Sequence, residues 1–246
     1  MQRTTERLLW GCITIEASRY YDSKVAPPMR TLALLARKGG TGKTTLAVHL
    51  AVLAVESGRR VLLVDTDPQR SAGDWWRVRH SDTPRLVECV AKRTPEVLAL
   101  AEQDGIDLVV VDTRPSVEAD TAEIARLSDL VLIPTGPGIL DLRAIAATAE
   151  MVRSVRAQRG ATMIVLNGVQ AAAGFGENGL TTEARRALRA YQIPVADVAI
   201  GRRVAFAHAL IDGRSVTEFE PNGKAARELR KLFKHMETVL WPAGQP

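Results

Sequence analysis

Cysteine is almost missing from this chain of 246 residues; there are two, Cys12 and Cys89. They stand far apart, with no Cys-x-x-Cys or mixed Cys/His spacing. That argues against a disulfide framework, a zinc site and an iron–sulfur cluster, and it fits a reducing, cytoplasmic setting. Long hydrophobic runs are missing too. No apolar stretch approaches the roughly 20 residues that span a bilayer. The first 30 residues lack both a continuous apolar core and a small-residue cleavage site, so no secretory leader is expected. No repeat, low-complexity tract or linker divides the chain. What remains is ordinary globular composition, 46% hydrophobic and 25% charged. A net charge of +5 is compatible with a nucleic-acid partner and equally with an arginine-rich surface.

Residues 1–29 read differently from the rest: Trp10, Tyr20 and Tyr21 lie among charges, and Pro27-Pro28 precede Met29. The segment is expected to be a poorly ordered extension, either an upstream read-through before a start at Met29 or an arm for a partner. A single domain is expected over 30–241, with a tail at 242–246. Within the domain, short apolar runs alternate with helical patterns. The predicted strands are Thr31–Ala36, Val61–Val64, Leu108–Val111, Leu130–Ile133 and Met163–Leu166. The predicted helices are Thr44–Ser57, Ser71–Arg79, Pro95–Gln103, Asp141–Gln158 and Thr181–Tyr191. Nearly continuous apolar strands at this rhythm predict an α/β fold, a doubly wound, mostly parallel sheet with helices on both faces. Ligands in such sheets sit beyond the carboxyl ends of the strands.

The run Lys38-Gly39-Gly40-Thr41-Gly42-Lys43-Thr44-Thr45 follows the first strand and opens the first helix. A glycine-rich loop there is a phosphate cradle, because its N–H groups and the helix dipole both face the anion. Lys43 is placed to reach phosphates and Thr44 to put its hydroxyl on Mg²⁺. The strict pattern needs a glycine five residues before Gly42, where Arg37 stands, and a second lysine, Lys38, has been added. Asp65 and Asp67, in Val61-Leu62-Leu63-Val64-Asp65-Thr66-Asp67-Pro68-Gln69, end the next strand. They suit metal-bound and attacking water, or else form a solvated Asp-Pro turn. Asp112, ending Leu108–Val111, reads as a second metal-site acid or as a loop-capping aspartate.

Taken together, Lys38–Thr45, Asp65–Gln69, Asp112-Thr113, Ser128–Pro134 and Leu140-Asp141-Leu142 resemble the ParA/MinD family of deviant Walker A ATPases. The likeness covers nearly everything after Met29 and is strongest to the short ParA-type partition ATPases. It implies a P-loop fold, ATP and Mg²⁺ as cofactors, weak intrinsic ATP hydrolysis, and an ATP-dependent sandwich homodimer in which Lys38 reaches the partner's nucleotide. It implies that Gly39, Gly40, Thr41, Gly42, Lys43, Thr44 and Thr45 bind nucleotide, and that Asp65 and Asp112 support the metal with Thr44. By the same resemblance Asp67 positions the attacking water. Asn167 either reads the adenine edge or is a loop residue before Gly168. Two stretches depart from the family pattern: Asp112-Thr113-Arg114-Pro115, where Arg114 is a switch-region cation or a surface change, and Thr135-Gly136-Pro137-Gly138. A nitrogenase-type carrier shares this loop but needs paired cysteine ligands, which Cys12 and Cys89 do not supply.

The ParA branch further implies a bacterial, nucleoid-associated protein that partitions plasmids or chromosomes. It would bind nonspecific DNA as an ATP dimer, and a centromere-binding adaptor would stimulate hydrolysis. Arg202, Arg203, Arg214, Lys224 and Arg227 are the candidate DNA contacts, or else a solvated helix face. A MinD-like membrane ATPase is the rival, because Ala225–Leu240 carries an apolar stripe through Leu229, Leu232, Phe233, Met236 and Leu240. Such stripes more often pack on a core. A third alternative is an ATPase that positions a conjugation or envelope complex.

Overall fold

A computed structural model describes residues 8–10, 13–15, 28–116, 119–156, 160–170 and 176–242. Most of the 1–29 extension and of the tail lies outside these residues, and with them the expectation of a poorly ordered arm. Strands β1 (Leu8–Trp10) and β2 (Ile13–Ile15) pair antiparallel. The domain then runs β3 (Arg30–Leu34), α1 (Lys43–Glu56), β4 (Val61–Asp65), α2 (Ser71–Arg77), β5 (Arg85–Glu88), α3 (Thr94–Gln103), β6 (Leu108–Asp112) and α4 (Ala119–Leu127). It continues through β7 (Leu130–Thr135), α5 (Ile139–Val155), β8 (Ala161–Val169), α6 (Gly179–Leu188), β9 (Ile200–Gly201), α7 (Val204–Ile211), α8 (Val216–Phe219) and α9 (Lys224–Leu240).

The expected doubly wound sheet is present. Seven parallel strands lie in the order β5-β4-β6-β3-β7-β8-β9. The five predicted strands are there, three with the expected first residue and the other ends shifted by one to three residues: the first stops at Leu34, and the last runs from Ala161 to Val169. The edge strands β5 and β9 were not anticipated, because Arg85–Glu88 and Ile200-Gly201 are too short and mixed to stand out as apolar runs. Helix α5 begins at Ile139, ahead of the expected Asp141, and α2 ends at Arg77, short of Arg79.

Side chains alternate across the strands, so one sheet builds two cores. Leu32, Leu34, Leu63, Val110 and Leu132 point to the side covered by α1 and the C-terminal helices. Ala33, Leu35, Val64, Val111 and Ile133 point to the side covered by α3, α4, α5 and α6. Ala47, Leu50, Ala51 and Ala54 make the expected inward face of α1, but the helix is buried on its outer side as well, from Leu46 to Ala54. The cause is the C-terminal helices. The stripe Leu229, Leu232, Phe233, Met236 and Leu240 of α9 is core-facing and joins the same cluster. Its far end is held by Arg59, which bonds Glu237 at 3.0 Å and stacks over the Trp241 ring at 3.5 Å.

Arg156, just past α5, closes the other face. Its guanidinium is buried and donates to the carbonyls of Ala125, Ser128, Asp129 and Ala161, tying the end of α4 to the starts of β7 and β8. Arg156→Met keeps the aliphatic bulk and orphans these acceptors, so stability should fall by about 3 kcal/mol. The urea midpoint reads this out, and an unchanged midpoint would show the clamp to be idle.

Candidate functional site

The site is assembled by strand register. Strand β6 lies between β3 and β4, and it pairs Asp112 with Leu34 on one side and with Asp65 on the other. The two acids therefore stand side by side at the carboxyl edge of the sheet, one row below the loop that leaves β3. Strand β3 also borders β7, so the loop rises where the chain crosses from one half of the sheet to the other. That is where doubly wound sheets hold ligands. Thr113 donates through its hydroxyl to the Leu34 carbonyl at 2.7 Å, and Thr66 donates to the Asp112 carbonyl, so all three strand ends are cross-tied.

The loop from Lys38 to Gly42 turns into α1 through Gly42, the residue before the first helical turn, at φ 91°. A Cβ here would lie 2.1 Å from the Asn167 amide nitrogen, so both conformation and space require glycine. That amide donates to the Thr41 carbonyl at 2.7 Å. Asn167, expected to read an adenine edge or to sit in a loop, thus braces the phosphate loop from β8. Gly39 approaches Pro115 of the loop after β6, and Gly40 carries a second positive φ, 73°.

Lys43 is 6% exposed. Burial pulls its pKa down, and the charges of Asp112 and Asp67 oppose that shift. Asp112 is fully buried, and among the described residues neither carboxylate oxygen has a well-formed hydrogen bond; the Thr44 hydroxyl stands beside it as a marginal donor. Burial pushes its pKa up to about 7, against the smaller opposing pull of the neighbouring Thr44 hydroxyl and the Lys43 charge. An orphaned buried carboxylate beside a hydroxyl is a costly arrangement unless a cation completes it. Among the described residues, no three or more His, Cys, Asp or Glu side chains form a self-contained metal cage. The donor set therefore fits a hard ion such as Mg²⁺, which is commonly held by one or two protein oxygens together with substrate phosphates and water.

Asp65 is differently employed. Its Oδ1 accepts from the Asp67 N–H at 3.0 Å, and its Oδ2 accepts from the N–H groups of Ala72 and Gly73 at 3.0 and 3.1 Å. It moulds the Thr66–Arg70 loop and anchors α2. Burial raises its pKa, and these three bonds offset part of the rise. Asp67 is half-buried and accepts from the Gln69 N–H at 2.9 Å. Thr45 lies with Thr44 on a hollow of about 480 Å³ that is also walled by Trp75, Val78 and Ile211.

Lys38 is exposed on the loop, and its ammonium bonds Asp141 of α5 at 2.6 Å. In the sequence Asp141 stands in the Leu140-Asp141-Leu142 motif with no role assigned to it. The available signal was the flanking Gly136 and Gly138: a Cβ at Gly136 would lie 2.4 Å from the Asp141 carboxylate, and one at Gly138 would lie 3.1 Å from it. The unusual Thr135–Gly138 stretch is thus the seat of Lys38's counter-ion. The basic candidates sit elsewhere. Arg203 is paired with Glu228, and Arg214 with Asp212, while Arg202, Lys224 and Arg227 are exposed.

With this geometry in place, the comparisons with known proteins fall into line. The family described as CobQ/CobB/MinD/ParA nucleotide binding domain matches residues 32–216. The chain belongs to this ParA/MinD family of nucleotide-binding ATPases. It is 39% identical over 214 residues to the maintenance of carboxysome distribution protein A of Gloeobacter kilaueensis, covering 86% of this chain and 94% of that protein. It is 28% identical to the chromosome-partitioning ATPase Soj of Thermus thermophilus, covering 85% of this chain and 95% of Soj. In fold it resembles the septum site-determining protein MinD of Pyrococcus horikoshii complexed with Mg-ADP. The TM-score is 0.67 at 18% identity, over 86% of this chain and 97% of that one.

Two measurements probe the site. Asn167→Ala removes the brace on Thr41 and should weaken ATP and GTP binding alike, about 5-fold for a hydrogen bond of about 1 kcal/mol. A selective loss for ATP in a fluorescent-nucleotide titration would favour base reading instead. The folded pKa of Asp112 is raised, so its contribution to stability is greatest at low pH and is lost as pH climbs through about 7. Asp112→Asn should stabilise the nucleotide-free protein near pH 8 by roughly 2–4 kcal/mol. Urea titrations from acid to alkaline pH should show the parent's decline flattened in the variant. An equal decline in both would place the strain elsewhere.

Proposed function

We propose that this protein is a ParA-type positioning ATPase that hydrolyses ATP to ADP and phosphate, dimerises on ATP, and binds nonspecific DNA in that state. The observation that carries the reading is Lys38. It is a second lysine on the phosphate loop, outside the buried cluster and tethered through its ammonium, among the described residues, to Asp141. Lys43 already supplies the buried cation from the same chain. A surface lysine on a phosphate loop suits the nucleotide of a facing copy, where an added cation offsets charge in phosphoryl transfer. Leaving Asp141 costs little, because a partly exposed ion pair is worth about 1 kcal/mol or less.

In this reading the loop N–H groups of Gly39–Thr45 and the Lys43 ammonium hold the phosphates. Thr44 and Asp112 would hold Mg²⁺, and Asp65, with acceptor capacity left beyond its three backbone bonds, would support the bound waters. The bound metal supplies charge neutralisation on the phosphate oxygens. Asp67, on the loop moulded by Asp65, orients the attacking water. A partner protein that reorders the loops at Asp67 and Pro115 would stimulate turnover and reset the dimer.

The cargo divides the proposal. The relative at 39% identity is named for carboxysome distribution, and a second protein of that name, from Halothiobacillus neapolitanus, is 30% identical over 84% of this chain. These relatives favour a protein complex as cargo, positioned through an adaptor. Plasmid or chromosome partition through a centromere-binding adaptor stands as the second reading, favoured by the likeness to Soj. A membrane-bound cycle has less support, because the apolar stripe of α9 is built into the core, and among the described residues no helix is long and apolar enough to cross a membrane.

Lys38→Ala should still bind nucleotide but lose ATP-driven dimerisation, and adaptor-stimulated hydrolysis should fall by about 10³-fold, as when a trans cation is lost. Lys43→Ala should lose nucleotide binding itself, and Asp67→Ala should dimerise on ATP yet hydrolyse poorly. Light scattering and phosphate release separate the three. Dimerisation that survives Lys38→Ala would remove the trans role.

A further inference from the structure

Left-handed backbone is uncommon outside glycine, and among the described residues two others adopt it, Gln192 and Arg70. Gln192 ends the helical turn Arg189–Tyr191, a place where chains often take this conformation. Arg70 stands at φ 53° and ψ 36° in the loop that carries Asp67. Its N–H donates to the Asp67 carbonyl at 2.9 Å, so the two residues close one tight turn. Glycine or asparagine would fill that position with less strain. A long side chain held there against its conformational preference points to a use for the side chain, as strained residues do at functional sites.

The Arg70 guanidinium is loosely held. Its side chain is 63% exposed, and its ion pair with Glu88 is long, at 3.7 Å. Glu88 has a better partner in Arg77, which bonds it at 2.6 Å. A Cβ at Gly73 would lie 1.8 Å from a Glu88 carboxylate oxygen, so Glu88 is seated against α2 without help from Arg70. Register places this group near the chemistry. Glu88 on β5 pairs with Asp65 on β4, and Asp65 pairs with Asp112 on β6. Neighbouring strands stand about 4.8 Å apart, so Glu88 lies about 10 Å along the sheet edge from the buried Asp112. Arg70 leaves β4, the strand between them, three residues after Asp67. Its side chain has Glu88 on one side and the phosphate site on the other.

We infer that Arg70 is a further catalytic cation of this ATPase: with ATP and Mg²⁺ bound, its guanidinium leaves Glu88 and binds oxygens of the terminal phosphate while Asp67 orients the water. The inference rests on the proposed function and adds a residue to its chemistry. In that step the water oxygen bonds to the γ-phosphorus, and the bond from phosphorus to the ADP oxygen breaks. One proton of the water stays on the phosphate product and the other leaves to solvent. Arg70 exchanges no proton; its planar fork of donors neutralises charge spread over the equatorial oxygens. A terminal phosphate carries more charge than a carboxylate already shared with Arg77, so the exchange of partners runs toward the nucleotide. Lys38 leans the other way, toward Asp141 of α5, and Lys43 lies buried beneath the phosphates. Arg70 thus approaches from the β4 side, which it shares with Asp67.

The test is single-turnover hydrolysis of γ-labelled ATP by the full chain with Mg²⁺, read beside ATP affinity, light scattering and the urea midpoint. Arg70→Asn tolerates the left-handed turn and carries no charge. It should keep ATP affinity, dimerisation and the midpoint while its rate falls about 10²-fold, as when one transition-state contact is removed. Arg70→Gly should lose as much rate at an equal or higher midpoint, because the strain goes with the side chain. Arg70→Lys keeps a cation without the fork and should recover part of the rate. Glu88→Gln loosens the resting contact and should raise the rate, by up to about 5-fold for an exposed ion pair. An unchanged rate in Arg70→Asn overturns the assignment and leaves the ATPase in place, as does an equal loss in Arg70→Asn and Arg70→Lys. Loss of ATP-driven dimerisation in Arg70→Asn also overturns it, giving Arg70 to the interface between copies. A parent chain that hydrolyses no ATP overturns the proposed function itself.

Discussion

A carboxylate held out of water with too few partners for its charge governs the rest of this site. Asp112 ends a strand flanked on both sides by others and covered on both faces, so no solvent reaches it, and among the described residues the Thr44 hydroxyl beside it is the one donor that favours its charged form. Such a group is tolerated because the surrounding sheet overdetermines its position. Its neighbours are arranged around that fact: Lys43 is buried in its field, Thr44 stands beside it, and Asp65 has been diverted to moulding the adjacent loop. The cluster is incomplete as a protein structure and becomes coherent when a cation and phosphates are added.

Around that buried centre the loops are tethered by a few specific contacts. The loop carrying Asp67 is shaped by Asp65, and its helix α2 is fixed at the other end: Trp75 donates to the Arg214 carbonyl, while Arg79 bonds Glu218 and the Gly213 carbonyl. Gly213 has no room for a Cβ against the backbone of Val78 and Arg79. Glu218 also completes the capping box of α8 through the Ser215 N–H. The loop next to the nucleotide site and the segment leading to α9 are therefore joined through these contacts.

Much of this architecture was legible in the chain. Short apolar strands such as Val61–Val64 and Leu108–Val111 end in acids, and a buried parallel strand has no other place to put one. The glycine loop before α1 needed no tertiary information either, since Gly42 must take a left-handed turn. The short edge strands were not legible, because Ile200-Gly201 has no periodicity to read. The amphipathic stripe of α9 was legible as a pattern, yet its partner was not: the same stripe suits a core or a lipid surface.

By itself, then, the order of residues determined the sheet, the phosphate loop, the acids at the strand tips and the second lysine. These follow from local rules of burial, turn geometry and charge. Only the tertiary structure decided which groups are already engaged. It seats Lys38 on Asp141 from a helix 103 residues away, and it turns Asn167 onto the Thr41 carbonyl. It also commits Glu228 and Glu237 to distant arginines, and among the described residues it pairs none of the lysines of α9 with a carboxylate. The reason is that pairing depends on distance in space. Residues far apart in the chain share no periodicity that would announce their contact, so charge can be counted in a sequence while its neutralisation is visible only in the fold.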